Sequence, residues 1–243
     1  MVGNWLYMQA LSRAASTLED TLRSLGIEEI RWHREVPSYV QALRDTDKGG
    51  TGEYFKEELN ILPPKRFFGI TGHDADGETI CSTANRFDDV EGWDLKTYIQ
   101  KFWGRNYVGE EDETLARMTS EGLFFLEGLK GPFAYIGDTW VDDRLAGGNR
   151  AAYLVRLCIL YCYMEWRPGY IYGWMAPHHA ARGLGFRWGF PVVWPGGFIW
   201  QTPPKKQVYA DLCFLGCPVP AVETIARRPL DIGLVQVRTK SKT

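Results

Sequence analysis

The sequence predicts an α/β (α+β) fold, a mixed sheet with helices on both faces, and three observations carry that prediction. Ala134 to Val141 reads as a strand that runs into a polar turn (Asp142, Asp143, Arg144), a glycine pair (Gly147, Gly148) and a strongly apolar helix from Ala151 to Trp166. Tyr170 to Met175, YIYGWM, reads as the next strand, so strand, helix and strand follow one another. Arg66 to Val90 reads as a hairpin of two strands around Asp76-Gly77. The apolar residues of 151–166 cover more than one helix face, which asks for sheet on one side and further structure on the other.

From the N-terminus, Asn4 to Leu25 has apolar residues near helical spacing (Leu6, Leu11, Ala14, Ala15, Leu18, Leu22) and Gly26 as a stop. Ile27 to Trp32 follows as a short strand, and Ser38 is placed to cap a helix running to about Arg44. The stretch 47–52, DKGGTG, reads as a loop, and Glu53 to Asn60 as a helical turn or two before Pro63-Pro64. Trp93 to Gly104 has a helical pattern, and Glu110 to Leu126 is read as containing another helix. Ala176 to Phe190 reads as a helix closed by Leu184-Gly185-Phe186. Phe190 to Trp200 is interrupted by Pro191, Pro195, Gly196 and Gly197. Gln207 to Leu215 reads as a strand and Val219 to Arg228 as a last short helix.

Composition bounds the function without choosing it. At 243 residues, 45% hydrophobic and 24% charged, the chain is long enough to bury a sizeable core. A net charge of −2 and a pI near 6.1 provide no field suited to nucleic acid. The longest apolar segment, 151–166, is interrupted by Arg156 and short for a bilayer, so no membrane role is expected. Met1 to Leu25 lacks the pattern of a signal peptide. Five cysteines cannot all pair within one chain, which fits a reduced, cytoplasmic setting. Cys158, Cys162, Cys213 and Cys217 with His178 and His179 could be imagined as a zinc site. Cys158 and Cys162 share an apolar stripe with Leu154, Val155 and Ile159, so burial is the simpler reading and no metal is expected.

A strand that ends in glycines at a helix N-terminus can hold an anion. The first N–H groups of the helix lack intrahelical partners, the helix dipole adds positive potential, and glycine lets a ligand approach the backbone. Here the sequence resembles a known family. Arg144-Leu145-Ala146-Gly147-Gly148-Asn149 is similar to the Q/R-x-x-G-x-G/A signature of the GNAT superfamily of acyl-CoA N-acyltransferases, with Asn149 where the family prefers Gly or Ala. The order of elements from about Arg66 to Leu215 agrees, including the Leu184-Gly185-Phe186 turn.

The resemblance implies a GNAT-like mixed, bent sheet flanked by helices, with an extra N-terminal helix. Between the third and fourth strands, where the family usually has a short turn, this chain is read as carrying a helical insertion of roughly forty residues. One domain is expected: residues 1–65 as N-terminal strand and helices, 66–215 as core with the acyl-CoA site, and 216–243 as C-terminal helix and tail. The co-substrate implied is acetyl-CoA or another acyl-CoA. The pantetheine arm would lie along Thr139, Trp140 and Val141, with the pyrophosphate at Arg144, Gly147, Gly148, Asn149 and Arg150. The plainer reading of the two arginines is a solvated pair flanking a turn.

Acyl transfer to an amine needs a proton acceptor and gains from a donor to the leaving thiolate. Asp138 within the fourth strand and Glu127 just before it are candidate bases, although the plainer reading is that Asp138 simply pairs with a nearby arginine. His178 and His179 are alternatives because imidazole titrates near neutrality. Many family members carry a tyrosine three residues before the leucine of the LGF turn; that position is Ala181, leaving Tyr172, Tyr209 or water as donor. The expected partner is a small-molecule amine, with a homodimer left open. Two other readings stand beside this one: a catalytically degenerate module that binds a CoA-like or aromatic ligand or a protein, and an enzyme acylating a hydroxyl or forming a lactone. Ten tryptophans, five of them between Trp166 and Trp200, serve either as core packing or as walls for a planar ligand.

Overall fold

The computed structural model describes residues 2–103, 117–119, 121–145, 148–202 and 211–232. Gly147, Tyr209, most of the helix expected over Glu110 to Leu126, the start of the strand expected from Gln207, and the basic tail residues Arg238, Lys240 and Lys242 lie outside them.

The N-terminal helix α1 (Val2–Ser24) forms as expected. Leu11, Ala14, Ala15, Leu18 and Leu22 recur at helical spacing on its buried stripe, and Gly26 ends it with φ near +88°. Strand β1 (Glu29–His33) leads into α2 (Val36–Leu43). The helix begins two residues before Ser38 because Pro37, with its fixed φ, fits the first turn; Ser38 does not cap it and instead bonds His33 Nδ1. Residues 53–60 hold only a single 3-10 turn, Glu53–Phe55. β2 (Phe67–His73) and β3 (Thr79–Asp94) form the expected hairpin.

The insertion after β3 is partly helical. Asp94 caps α3 (Leu95–Tyr98) by accepting from Thr97 N at 2.7 Å, and a π turn, Ile99–Trp103, continues it. Farther on stand a short strand, β4 (Arg117–Thr119), and a 3-10 segment, Glu121–Leu126, where helix was expected. The long strand β5 (Lys130–Val141) is therefore the fourth strand of the sequence reading. It is followed by α4 (Arg150–Trp166), β6 (Tyr170–Met175), α5 (Pro177–Ala181) and α6 (Leu184–Trp188). Gly183, at φ near +73°, divides the single helix expected over 176–190 into these last two. β7 (Val192–Thr202) runs through Pro195, Gly196 and Gly197 as one strand, absorbing them in a register shift between Trp194 and Phe198. β8 (Asp211–Pro218) and α7 (Val219–Arg227) complete the described chain.

The eight described strands form one sheet in the order β1-β2-β3-β5-β6-β8-β7-β4. Every pairing is antiparallel except β5 with β6, the two strands joined by the α4 crossover. Side-chain alternation sends Ala134, Ile136, Ile171 and Leu215 to a face covered by α1, α4 and α7. The intervening residues Phe133, Tyr135, Tyr170, Tyr172 and Phe214 meet α2, α3, the Glu53–Phe55 turn and the 121–126 segment. Helix α4 lies deepest, burying Leu154, Val155, Leu157, Cys158, Ile159, Leu160 and Cys162, with helix on one side and sheet on the other. No helix among the described residues is long and apolar enough to cross a membrane.

Candidate active site

The site is organised by the way β5 and β6 separate. Their parallel ladder covers only Phe133–Tyr135 against Tyr170–Tyr172, after which β5 runs on to Val141 and β6 to Met175. The edge of residues 137–141 that would face β6 has no ladder partner among the described residues. Such an edge offers backbone N–H and C=O groups to an extended ligand.

A bulge interrupts β5 at the same place. Ser82 pairs with Trp140 and Ala84 with Gly137, so Asp138 and Thr139 together oppose Thr83. Asp138 takes up the extra residue in the left-handed region, φ near +59°, a conformation that Asp tolerates better than most residues. Thr139 turns its hydroxyl to Thr83 Oγ1 at 3.2 Å.

The Asp138 side chain is 5% exposed and its two oxygens are fully engaged. Oδ1 accepts from Lys48 Nζ at 2.8 Å and Gly52 N at 2.9 Å; Oδ2 accepts from Thr51 Oγ1 at 3.0 Å and Tyr39 Oη at 3.1 Å. The carboxylate thus clamps the glycine-rich 48–52 loop to the bulge. A base must have a lone pair to offer, and these four donors occupy the directions through which Asp138 would accept a proton. An ion pair, the plainer role read for Asp138, is present, but its partner is Lys48 and not the arginine expected.

The turn after β5 gathers the expected anion-binding residues, with Gly147 outside the described residues. Gly148 has φ near +77°, and a Cβ there would meet nothing closer than Arg150 Nη1 at 3.7 Å. Conformation, not crowding, is what favours glycine at this position. α4 starts without a side-chain cap, since the Asn149 side chain is turned away to Arg187 Nη2. Arg150 spans back to the end of α1, donating to Leu25 O at 2.8 Å. Arg144 is 75% exposed and paired with Asp142, its Nη2 at 2.6 Å from Oδ2. That pairing holds the Asp142 carboxyl below the usual carboxylate range. Arg187, 38 residues beyond Asn149 in sequence, belongs to this cluster and nothing in the sequence marked it.

The other candidates lie apart. Glu127 precedes β5 at the end away from the turn, with its side chain 70% exposed and bonded to Lys96 at 3.0 Å. The 12 residues of β5 separate the two ends, roughly 35 Å at about 3.3 Å per residue. Tyr172 is fully buried on the aromatic face, where its oxygen accepts from Trp103 Nε1 at 3.4 Å; burial raises its pKa well above the ordinary tyrosine value, so it stays protonated. His178 and His179 sit on α5, just past the end of β6, with ring centroids 3.9 Å apart. Burial, then the neighbouring His178 and Arg182, lower the pKa of His179, so its neutral form dominates at pH 7. Among the described residues no group of three or more His, Cys, Asp or Glu is placed to hold a metal ion, and all five cysteines are free and buried.

No family model matches the chain and no curated protein matches it significantly. Solved structures do resemble it. FeeM, an N-acyl amino acid synthase from uncultured soil microbes, is 15% identical over 81% of this chain and 93% of its own, with a TM-score of 0.46. NAA60 from Arabidopsis thaliana, in complex with a bisubstrate analogue, is 13% identical over 79% of this chain and 99% of its own, with a TM-score of 0.45. The aminoglycoside acetyltransferase AAC(6')-Ib, in complex with coenzyme A and kanamycin, is 13% identical over 81% and 98%, with a TM-score of 0.43. These are likenesses of chain path, and no residue role passes from them to this chain. The architecture is an α+β fold: a mixed sheet flanked by helices, entered through an N-terminal helix.

Proposed function

We propose that this chain is an acyl-CoA-dependent acyltransferase that moves an acetyl or other acyl group to the amine of a small acceptor. The observation that carries the reading is the parting of β5 from β6 beside an uncapped helix N-terminus preceded by Gly148. An acyl-CoA fits that layout. Its pantetheine arm would add to the free edge of Thr139, Trp140 and Val141, and its pyrophosphate would meet the first N–H groups of α4 with Gly148, Asn149 and Arg150 around it. Arg144, exposed and held by Asp142, would serve the phosphates by exchanging part of that pairing.

In the reaction the acceptor nitrogen bonds to the thioester carbon while the C–S bond breaks. The amine proton leaves to a base or solvent, and the thiolate departs as a modest base that water can protonate. Holding the two reactants in line and polarising the carbonyl with backbone N–H groups supply most of the rate in this scheme. Asp138 enters it through the loop it clamps, which fixes one wall beside the parted strands, more than as the proton acceptor expected from sequence. His179 on α5, just past the end of β6, is a neutral imidazole that could accept the proton.

Calorimetry with coenzyme A tests the binding half: micromolar binding that falls at least tenfold in Gly148→Val is expected, and unchanged affinity in that variant moves the site elsewhere. Thiol release from acetyl-CoA across panels of amines and alcohols tests the chemistry. Turnover with alcohols alone would favour a hydroxyl-acylating or lactone-forming enzyme, and tight coenzyme A binding without any turnover would make the chain a binding module. Asp138→Asn keeps the size of the side chain but gives up the accepting bonds of one oxygen; a rate loss of roughly 10²–10⁴-fold that recovers at high pH, where loss of the clamp would not, would restore Asp138 as base.

A further inference from the structure

A cavity of about 430 Å³ lies away from the parted strands, between α6 and α7, where the chain leaves α7 toward Asp231. Phe186, Pro191, Pro218, Pro220, Ala221 and Ile225 line most of it, and Phe186 stands 58% exposed at its side. Arg156 reaches it from the buried body of α4.

Arg156 is only 6% exposed, yet no carboxylate among the described residues comes within ion-pair distance of it. Its Nε donates to Arg187 O at 2.8 Å, and its Nη1 to Pro229 O at 3.1 Å and Arg228 O at 3.4 Å. Those bonds use carbonyls left over at the ends of α6 and α7, and they account for two of its three nitrogens. Nη2 makes no hydrogen bond among the described residues. A buried cation that keeps an open donor and lacks a contacting counter-charge has its charge uncompensated. Desolvation accordingly lowers the pKa of Arg156, with Asp231 opposing from a distance.

Among the described lining residues Arg156 and Arg228 are cations and Asp231 is a carboxylate, set in otherwise mostly apolar walls. That combination suits an anion with an apolar body, since a neutral apolar molecule would leave Arg156 Nη2 unanswered, and a single carboxylate is the anion that one open guanidinium nitrogen matches. We propose that this cavity is a second binding site, one that takes a small monocarboxylate carrying an aromatic or branched aliphatic group, its carboxylate on Arg156 Nη2 and its apolar part against Phe186, Pro191 and Ile225. The volume lies within the range that ligand sites of drug size occupy.

Calorimetric titration of the full chain with 3-phenylpropanoate, its amide and 3-phenylpropylamine tests the site without reference to acyl transfer. The carboxylate is expected to bind about tenfold or more tightly than the amide, the difference a charge-assisted hydrogen bond makes, and the amine not to bind. Ala221→Trp fills the cavity from the partly exposed side of α7 and removes no hydrogen bond; it should weaken the carboxylate at least tenfold while circular dichroism stays unchanged. Arg156→Gln should equalise acid and amide, and if that variant does not fold the other two comparisons decide. Equal binding of acid and amide, undiminished binding to Ala221→Trp, preference for the amine, or no binding of the carboxylate would each overturn the proposal.

Discussion

The two faces of the sheet are built from opposite materials. The face under α1, α4 and α7 is mostly aliphatic, filled chiefly by Leu, Ile, Val, Ala and Cys from three helices and five strands, with Phe68, Met175 and Phe190 among them. The other is aromatic, and much of it is covered by loops and short turns: Tyr54 and Trp103 lie against each other, and Tyr135, Tyr172 and Phe214 continue the array. It also buries charge. Arg86 is held by Asp88 Oδ1 at 2.8 Å, Tyr54 O at 2.8 Å and Asn60 Oδ1 at 2.9 Å, while Arg66 reaches the same carboxylate at 3.2 Å. Burial pulls the Arg86 pKa down, and Asp88, joined by Tyr98 and Tyr172, more than offsets it, leaving Arg86 above its ordinary value. Helices hold their face chiefly by packing, although Arg156 is buried there with bonds to three carbonyls; loops on the other need directed bonds to hold their shape. The candidate acceptor wall, including the loop clamped by Asp138, belongs to the second kind.

Removing a charge from the aromatic face should break this contrast most sharply. Arg86→Ala leaves Asp88 buried beside a vacancy, and breaking a buried pair costs about 3–5 kcal/mol. Urea denaturation checks it, and a loss below about 1 kcal/mol would mean that packing, not charge, holds that face too. On the aliphatic face Leu157→Ala should cost about 3 kcal/mol, within the range of buried leucine truncations, with no change in coenzyme A affinity.

Acid sharpens the comparison further. His33, on the aromatic side against Tyr39, is kept neutral first by burial and then by His73 and Arg31, so its folded pKa lies below its ordinary value. The stability it contributes is complete above about pH 6.5 and is lost as pH falls through the lower folded value. Denaturation midpoints should therefore decline in mild acid, and His33→Gln should flatten that decline. The smallest effect is expected from Tyr172→Phe, about 1 kcal/mol for a long hydrogen bond to Trp103. Its turnover should match the parent; a tenfold drop would return Tyr172 to the chemistry as proton donor.

The contrast also explains what could be read from the residues alone. α1 and α4 were legible because burial on the aliphatic face follows helical spacing, and β6 because YIYGWM is short, branched and aromatic. The bulge was not legible: Gly137, Asp138 and Thr139 look like ordinary strand positions. One extra residue reverses which side each later side chain faces, and here it delivers Asp138 to Lys48. Arg187 stayed hidden because its bond to Asn149 joins positions that only the fold brings together. β7 was obscured by Pro195 and the glycines after it, residues that strands accept at bulges.

The five thiols carry a consequence of their own. Burial pushes Cys81 and Cys158 up to about 12 and raises Cys162, Cys213 and Cys217 as well. Disulfide exchange and alkylation proceed through the thiolate and need access to sulfur, and in the folded chain both are scarce. Iodoacetamide should therefore modify the native protein slowly and the urea-unfolded protein at all five positions, so that labelling becomes a clock for unfolding. The same shielding lets this fold persist in oxidising or reducing surroundings alike, and the odd number of cysteines ceases to be a guide to where the protein works.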